Sequence, residues 1–262
     1  MKRFYFIPSV AVVLCLLFSG VCLGQTFTPY SGQPGKDVIW VPTQQELVNT
    51  MLDLANVTPS DYVIDLGSGD GRTVITAAKR GATALGIEYN PDMVEFARRA
   101  ADKEGVSAKA KFEQADIFES DFSKANVITL FLLPGLNLKL RPTLLDMKPG
   151  TRVVSNVFDM GDWKPDQTTS LRGAGTAHLW IVPAKVGGTW KIDDGHINFT
   201  QIFQNITGTL TVGKKDMALS GKLNGDRISF TADGTEYVGT VSGNTIIISG
   251  TSAGSDSWRA TR

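Results

Sequence analysis

Cysteine and histidine are both scarce in this sequence. There are two cysteines, Cys15 and Cys22, and two histidines, His178 and His196. Both cysteines fall within the first 24 residues, which read as a removable leader. The remaining chain then has no thiol, which excludes a disulfide framework, a thiolate nucleophile and a cysteine-bound metal. The two histidines lie in different expected modules without the spacing of a metal-binding pair, so no metal site is expected. A dominant charge is also lacking, with 26 basic residues against 26 acidic ones. Loss of Lys2 and Arg3 with the leader leaves 24 against 26, a net charge of −2, which gives no electrostatic reason to expect a nucleic-acid partner.

The longest apolar run, Val10 to Phe18, is shorter than the ~20 residues that cross a bilayer comfortably. It follows Lys2 and Arg3 and precedes small residues at Gly20 and Gly24, the pattern of a secretory signal peptide over residues 1–24. Cleavage after Gly24 exports a protein beginning at Gln25, to a periplasm or beyond, with no stable membrane span; an uncleaved anchor is the alternative. Acylation of Cys22 is disfavoured because Val21, rather than a small residue, precedes it.

What is present is enough apolar material for a packed core, 42% hydrophobic against 20% charged. A length of 262 residues exceeds the ~150 of an ordinary domain and points to two modules. Thr43 and Glu46 have capping-box spacing, and Leu47, Met51 and Leu54 continue a helical period, predicting a helix from Gln44 to Ala55. Strands at Tyr62–Leu66, Ala84–Glu88, Ala110–Gln114, Asn126–Leu133 and Arg152–Phe158 then alternate with helices at Arg72–Arg80, Pro91–Glu104 and Leu136–Asp146. That alternation predicts an α/β fold, a doubly wound, Rossmann-like sheet. Thr168–Leu171 and Ala177–Pro183 would add an antiparallel edge and bring it to seven strands.

The pattern changes near Gly187. Helical periodicity stops, and about eight short alternating runs follow at roughly nine-residue spacing, with turn signals at Asn224-Gly225 and Gly243-Asn244. Residues 186–262 are therefore expected to form a small all-β meander or barrel, separate from a first domain over 25–185. Its expected interior includes Phe199, Ile202, Phe203, Ile206, Phe230 and Ile246. No acid, base and nucleophile set is visible there, so its expected role is recognition or stability.

The chemistry concentrates in the first domain. Asp65-Leu66-Gly67-Ser68-Gly69-Asp70-Gly71 joins a buried strand to a helix, and three glycines let backbone and ligand approach closely while the helix N-terminus offers free N–H groups. Glu88 and Asp116 end the next two strands, and in a parallel sheet such ends line one crevice. Glu88 can accept from both hydroxyls of a ribose, Asp116 from the exocyclic amine of adenine, and Asp65 can pair with an α-ammonium. The ligand described has an amino acid at one end and an adenosine at the other. A dinucleotide site is the nearest competitor, but its G-x-G-x-x-G spacing is not met, because the third glycine here comes one residue early.

These residues resemble motif I and the following acidic positions of class I S-adenosylmethionine-dependent methyltransferases, a similarity spanning about residues 37–183. Trp40-Val41-Pro42-Thr43, Asp65 to Arg72, Phe131-Leu132-Leu133-Pro134 and Arg152-Val153-Val154-Ser155 more narrowly resemble the protein-lysine methyltransferases that modify an ATP synthase subunit and a nucleotide carrier. The leader and the β module, whose Gly188-Thr189-Trp190 opening is similar to lipocalin-like and avidin-like barrels, depart from those relatives. The resemblance implies S-adenosylmethionine as cofactor, held by Thr43, Asp65, Gly67, Gly69, Gly71, Glu88, Tyr89, Asp116 and Ile117. It implies a protein or small-molecule methyl acceptor positioned by Phe131, Leu132, Pro134 and Trp163, with N-methylation of an amine such as a lysine as the expected reaction. The alternative is an exported binding or scaffold protein whose methyltransferase fold is vestigial.

Overall fold

The computed structural model describes Met1, residues 27–251 and residues 257–262. The expected leader, residues 1–24, lies outside the described residues apart from Met1. Among those described, no helix is long and apolar enough to cross a membrane.

The first half is a seven-stranded sheet. Its strands are β1 (Tyr62–Leu66), β2 (Thr83–Glu88), β3 (Ala110–Gln114), β4 (Val127–Leu130), β5 (Arg152–Asn156), β6 (Gln167–Leu171) and β7 (Gly175–Ile181), ordered 3-2-1-4-5-7-6. Every pairing from β3 to β5 is parallel, and β7 runs antiparallel between β5 and β6. Alternation divides the central strands between two cores. Val63, Val127 and Val154 face α1 (Gln45–Leu54), α2 (Arg72–Lys79) and α3 (Pro91–Lys103), whereas Ile64, Leu66, Ile128, Leu130 and Val153 face α4 (Pro134–Leu145). Strand order reverses between β1 and β4, which opens a crevice beyond their carboxyl ends.

Local chemistry sets the helix starts. Pro91 opens α3, and the Asn90 side chain accepts from the Asp92 N–H at 2.9 Å. The capping box expected at Thr43 and Glu46 does not form. The N-cap of α1 is Gln44 without a side-chain cap, because Thr43 Oγ1 instead accepts from Asn156 Nδ2 at 3.1 Å. The fourth strand stops at Leu130, three residues short of its expected end, and α4 begins at Pro134, whose missing N–H suits a first turn.

The second half is a closed eight-stranded antiparallel barrel. Its strands are β8 (Gly188–Ile192), β9 (Gly195–Ile202), β10 (Asn205–Val212), β11 (Lys215–Asn224), β12 (Arg227–Ala232), β13 (Thr235–Ser242), β14 (Thr245–Thr251) and β15 (Trp258–Thr261). Trp190, Phe199, Ile206, Leu210, Phe230 and Ile246 fill the interior, and closure leaves no open sheet edge. Two residues expected inside are elsewhere. Ile202 is 65% exposed, and Phe203 leaves the barrel at the tip of the β9–β10 hairpin to stack on Trp163 of the first half at 6.3 Å. Gln204 follows it and donates to the Lys164 carbonyl at 2.8 Å. The chain itself enters the barrel at Ala184, whose N–H donates to Gly225 O, and Ala184 and Val186 belong to the barrel core.

Candidate active site

The crevice above β1 and β4 is a cleft of about 320 Å³. Its floor is the glycine turn after β1, where the N–H groups of Gly67 and Ser68 donate to Ile87 O and lock the turn to β2. Gly69 and Gly71 have left-handed φ angles of 53° and 80°. Side chains fit neither place: a Cβ at Gly69 would lie 2.3 Å from Trp40 Nε1, and one at Gly71 2.6 Å from the Phe112 ring. The clearance that the sequence assigns to a ligand is thus occupied, at Gly69, by an indole of the N-terminal segment. Ser68 Oγ, also among the cleft residues, is buried and has no hydrogen-bond partner among the described residues.

Three carboxylates stand in order around the cleft. Asp65, on β1, is buried and accepts from Thr129 Oγ1 at 2.6 Å; burial, aided by the negative charges of Asp70 and Glu88, pushes its carboxyl up to about 7 against the Thr129 hydrogen bond. Glu88 ends β2 and is held by two backbone donors, Gly69 N–H on Oε2 and Asn90 N–H on Oε1, each at 2.9 Å. Each oxygen keeps a lone pair for a further donor, so two vicinal hydroxyls fit the group. Asp116, beyond β3, accepts from Phe118 N–H at 2.9 Å and is ion-paired with Lys36, whose ammonium holds the carboxyl below the usual carboxylate range. Tyr89 and Ile117 line the same end, and Thr43 lines the cleft beside the turn.

The opposite wall is apolar. Phe131, Leu132 and Leu136 line it, and Phe131 stacks on Phe158 at 6.3 Å. Two expected acceptor-side residues lie elsewhere. Pro134 is the first residue of α4 and is not among the cleft residues. Trp163 is fully buried between Trp180 and Phe203, with its carbonyl accepting from Trp180 Nε1 at 2.7 Å. The barrel hairpin covers it, so it belongs to the core between the two halves and not to an acceptor channel. Phe158 lines the cleft, following Val157, whose φ of 64° turns the chain sharply after β5.

One contribution was only partly legible in the sequence, which singled out Trp40 to Thr43 but not the residues before them. Residues 33–43 form a strap that lines the cleft throughout. Gly32 N–H donates to Trp40 O, Trp40 N–H donates to Gln33 O, and Pro34 bridges Ile39, making a small hairpin with Lys36 near its tip. Arg72 fixes its far end by donating to Thr43 O at 2.7 Å while pairing with Asp70. The apolar run Val38 to Val41 after Gly35 was the available signal, since such a run needs a surface to pack on.

The donor set fits S-adenosylmethionine. A buried acid stands ready for an ammonium, a doubly anchored glutamate for a ribose, an aspartate for the amine of adenine, and an apolar wall lies opposite. Comparison with known proteins agrees. The family described as the ANTKMT methyltransferase domain matches residues 65–167. A protein-lysine N-methyltransferase of Saccharolobus islandicus (strain REY15A) is 40% identical over 151 residues, covering 55% of this chain and 94% of that protein. A lysine N-methyltransferase of Homo sapiens, named for an ATP synthase subunit, is 38% identical over 123 residues, covering 47% of this chain; the chain spans about half, 52%, of that relative's length. Among solved structures, an RNA methyltransferase from Salinibacter ruber in complex with S-adenosyl-L-homocysteine is 49% identical, with 56% of this chain and 96% of that one covered and a TM-score of 0.54. The sheet order, the ordered acids and a relative matched over nearly its whole length lead to one conclusion: this chain is an S-adenosylmethionine-dependent methyltransferase and belongs to the protein-lysine methyltransferase family.

Proposed function

We propose that the enzyme methylates an amine, a lysine side chain of a protein or a smaller amine, presented along the Phe131, Leu132, Leu136 and Phe158 wall. The observation that carries this reading is the apolar character of that wall opposite three ordered carboxylates. When bound, S-adenosylmethionine supplies an electrophilic methyl group that a nucleophile takes by in-line displacement. The residues of this chain contribute placement: Glu88 and Asp116 fix the nucleoside, Asp65 fixes the amino-acid end, and the phenyl groups close off water behind the acceptor. An apolar mouth also disfavours an ammonium and so helps an incoming amine to shed its proton. Two curated relatives named as lysine methyltransferases support the choice of lysine. A nucleic-acid acceptor, such as the name of the Salinibacter ruber RNA methyltransferase suggests for that protein, finds less support here. The cations among the described cleft residues, Lys36 and Arg72, are each paired with a cleft acid.

The test supplies methyl-labelled cofactor and reads where label appears after hydrolysis. Methyllysine should form with the native enzyme. Glu88→Ala should lose about 1.5 to 3 kcal/mol of charge-assisted hydrogen bonding to the ribose, roughly tenfold or more in affinity for S-adenosylhomocysteine. Label on nucleotides, or unchanged affinity in a folded Glu88→Ala, would overturn the assignment.

We also propose that the enzyme acts after export, on the strength of the Lys2, Arg3 and Val10 to Phe18 pattern. Mass spectrometry of native protein should find Gln25 at the N-terminus; an intact N-terminus would reject cleavage.

A further inference from the structure

The Lys36 ammonium holds two groups that the adenine end of the cofactor would use. It is ion-paired with Asp116 Oδ2, while Asp116 Oδ1 already accepts from Phe118 N–H. It also lies 4.9 Å from the centroid of the Tyr89 ring, over the face on which a base would stack. One ammonium therefore contacts both the carboxylate and the neighbouring aromatic face, and a base that used the two together would have to displace it or share Asp116 with it.

We propose that Lys36 is a built-in competitor of the adenine amine at Asp116, and that it sets how tightly the enzyme holds cofactor and product. The inference rests on the reading of Asp116 as the adenine acceptor. A lysine suits the role because its ammonium is a compact donor on a flexible four-carbon stem, able to swing away without moving the backbone. The backbone beneath it is fixed. Gly35 N–H donates to Val38 O at 2.9 Å, Pro34 bridges Ile39, and the Gln33 side chain joins Tyr30 N–H at 3.0 Å to Met93 Sδ at 3.1 Å. The anchored strap returns the ammonium to Asp116 whenever the base leaves, at the high effective concentration of any short tether. The Lys36 side chain is 36% exposed, which limits the strength of the pair. A competitor of that strength weakens binding without blocking it, and it favours product departure, a step that limits turnover in many enzymes.

S-adenosylhomocysteine, the product, serves as the probe, with the full chain titrated by calorimetry. Lys36→Met keeps the apolar stem and removes the charge, and should bind about two- to fivefold tighter, the fold-change that corresponds to a surface ion pair. Lys36→Arg keeps the pair and should bind like the native protein. Raising salt to about 1 M should close the gap between native and Lys36→Met, because exposed pairs are screened. Equal or weaker binding by a folded Lys36→Met, with native binding intact, overturns the inference and leaves the cofactor site standing; the weaker result would make Lys36 a roof contact for the base. Failure of the native protein to bind overturns the site and the inference together.

Discussion

At the scale of single residues, Asp65 has the most to say about pH. Its carboxyl is pushed up to about 7 in the folded protein, chiefly by burial, whereas an unfolded chain returns it to about 3.9. For an acid raised on folding, the neutral form is the stabilised one. The contribution of Asp65 is therefore complete below about pH 4 and is lost as pH rises through about 7, an effect on the order of a few kcal/mol. Asp65→Asn keeps a neutral hydrogen-bonding group and should flatten that part of the profile of Tm against pH. A cation beside the carboxyl reverses the preference, so binding of the α-ammonium of S-adenosylhomocysteine should release a proton near pH 6 and tighten up to about pH 7. Calorimetry in buffers of different ionisation enthalpy reads the proton directly, and none released at pH 6 would refute this role. Asp65, Glu88 and Asp116 were legible in the sequence because strand ends of a parallel sheet open on one side by topology alone. Trp163 was not, since its burial depends on Phe203, forty positions later in the chain.

At the scale of elements, repeating periods were readable and chain reversals were not. The barrel strands follow period two closely enough that register alone corrects one assignment. Ile197 and Phe199 face inward, so strict alternation sends Ile202 outward, where it is found. Hydrophobicity taken without register put it inside. Gln201 shares the inward face at that end and binds the linker, accepting from Val186 N–H at 2.7 Å and donating to Ala184 O at 2.8 Å. The β9–β10 hairpin shows what local rules omit. Its turn residue Phe203 has a φ of 54°, a conformation costly for a bulky residue and normally given to Gly or Asn. The compensation is tertiary: its ring stacks on Trp163 and lies 5.4 Å from the Arg141 guanidinium. Phe203→Ala should destabilise the protein by about 1 to 3 kcal/mol, less than the ~3 to 5 of a fully buried phenylalanine. Tryptophan fluorescence should shift to the red as Trp163 gains solvent. Equal stability in denaturant titrations would show that the hairpin contributes nothing to the union of the two halves.

At the scale of the whole molecule, the cleft and the barrel are separate in sequence yet joined in packing. The cleft residues run from Gln33 to Phe158, and none belongs to the barrel. The junction is instead a mixed surface: Phe203 on Trp163, Gln204 on Lys164, Lys222 with Asp166 at 3.6 Å, and Lys185 with Asp146. The barrel closes its own sheet and fills its own interior, which gives it the means to fold alone. The methyltransferase half has less independence, because the core around Trp163 and Trp180 is completed by Phe203. Separation should be made after Pro183, since Ala184 and Val186 pack in the barrel core. Residues 184–262 should then show strand circular dichroism without helix and unfold cooperatively. Residues 25–183 should bind S-adenosylhomocysteine with nearly the affinity of the full chain, because no cleft residue is removed, and should melt several degrees lower because the Trp163 surface is exposed. The two halves mixed should recover little of that loss, since the junction is held by one aromatic contact and a few polar ones. A folded 25–183 fragment that fails to bind would mean that the barrel shapes the cofactor cleft itself, and an 184–262 fragment without cooperative unfolding would make the barrel dependent on the sheet.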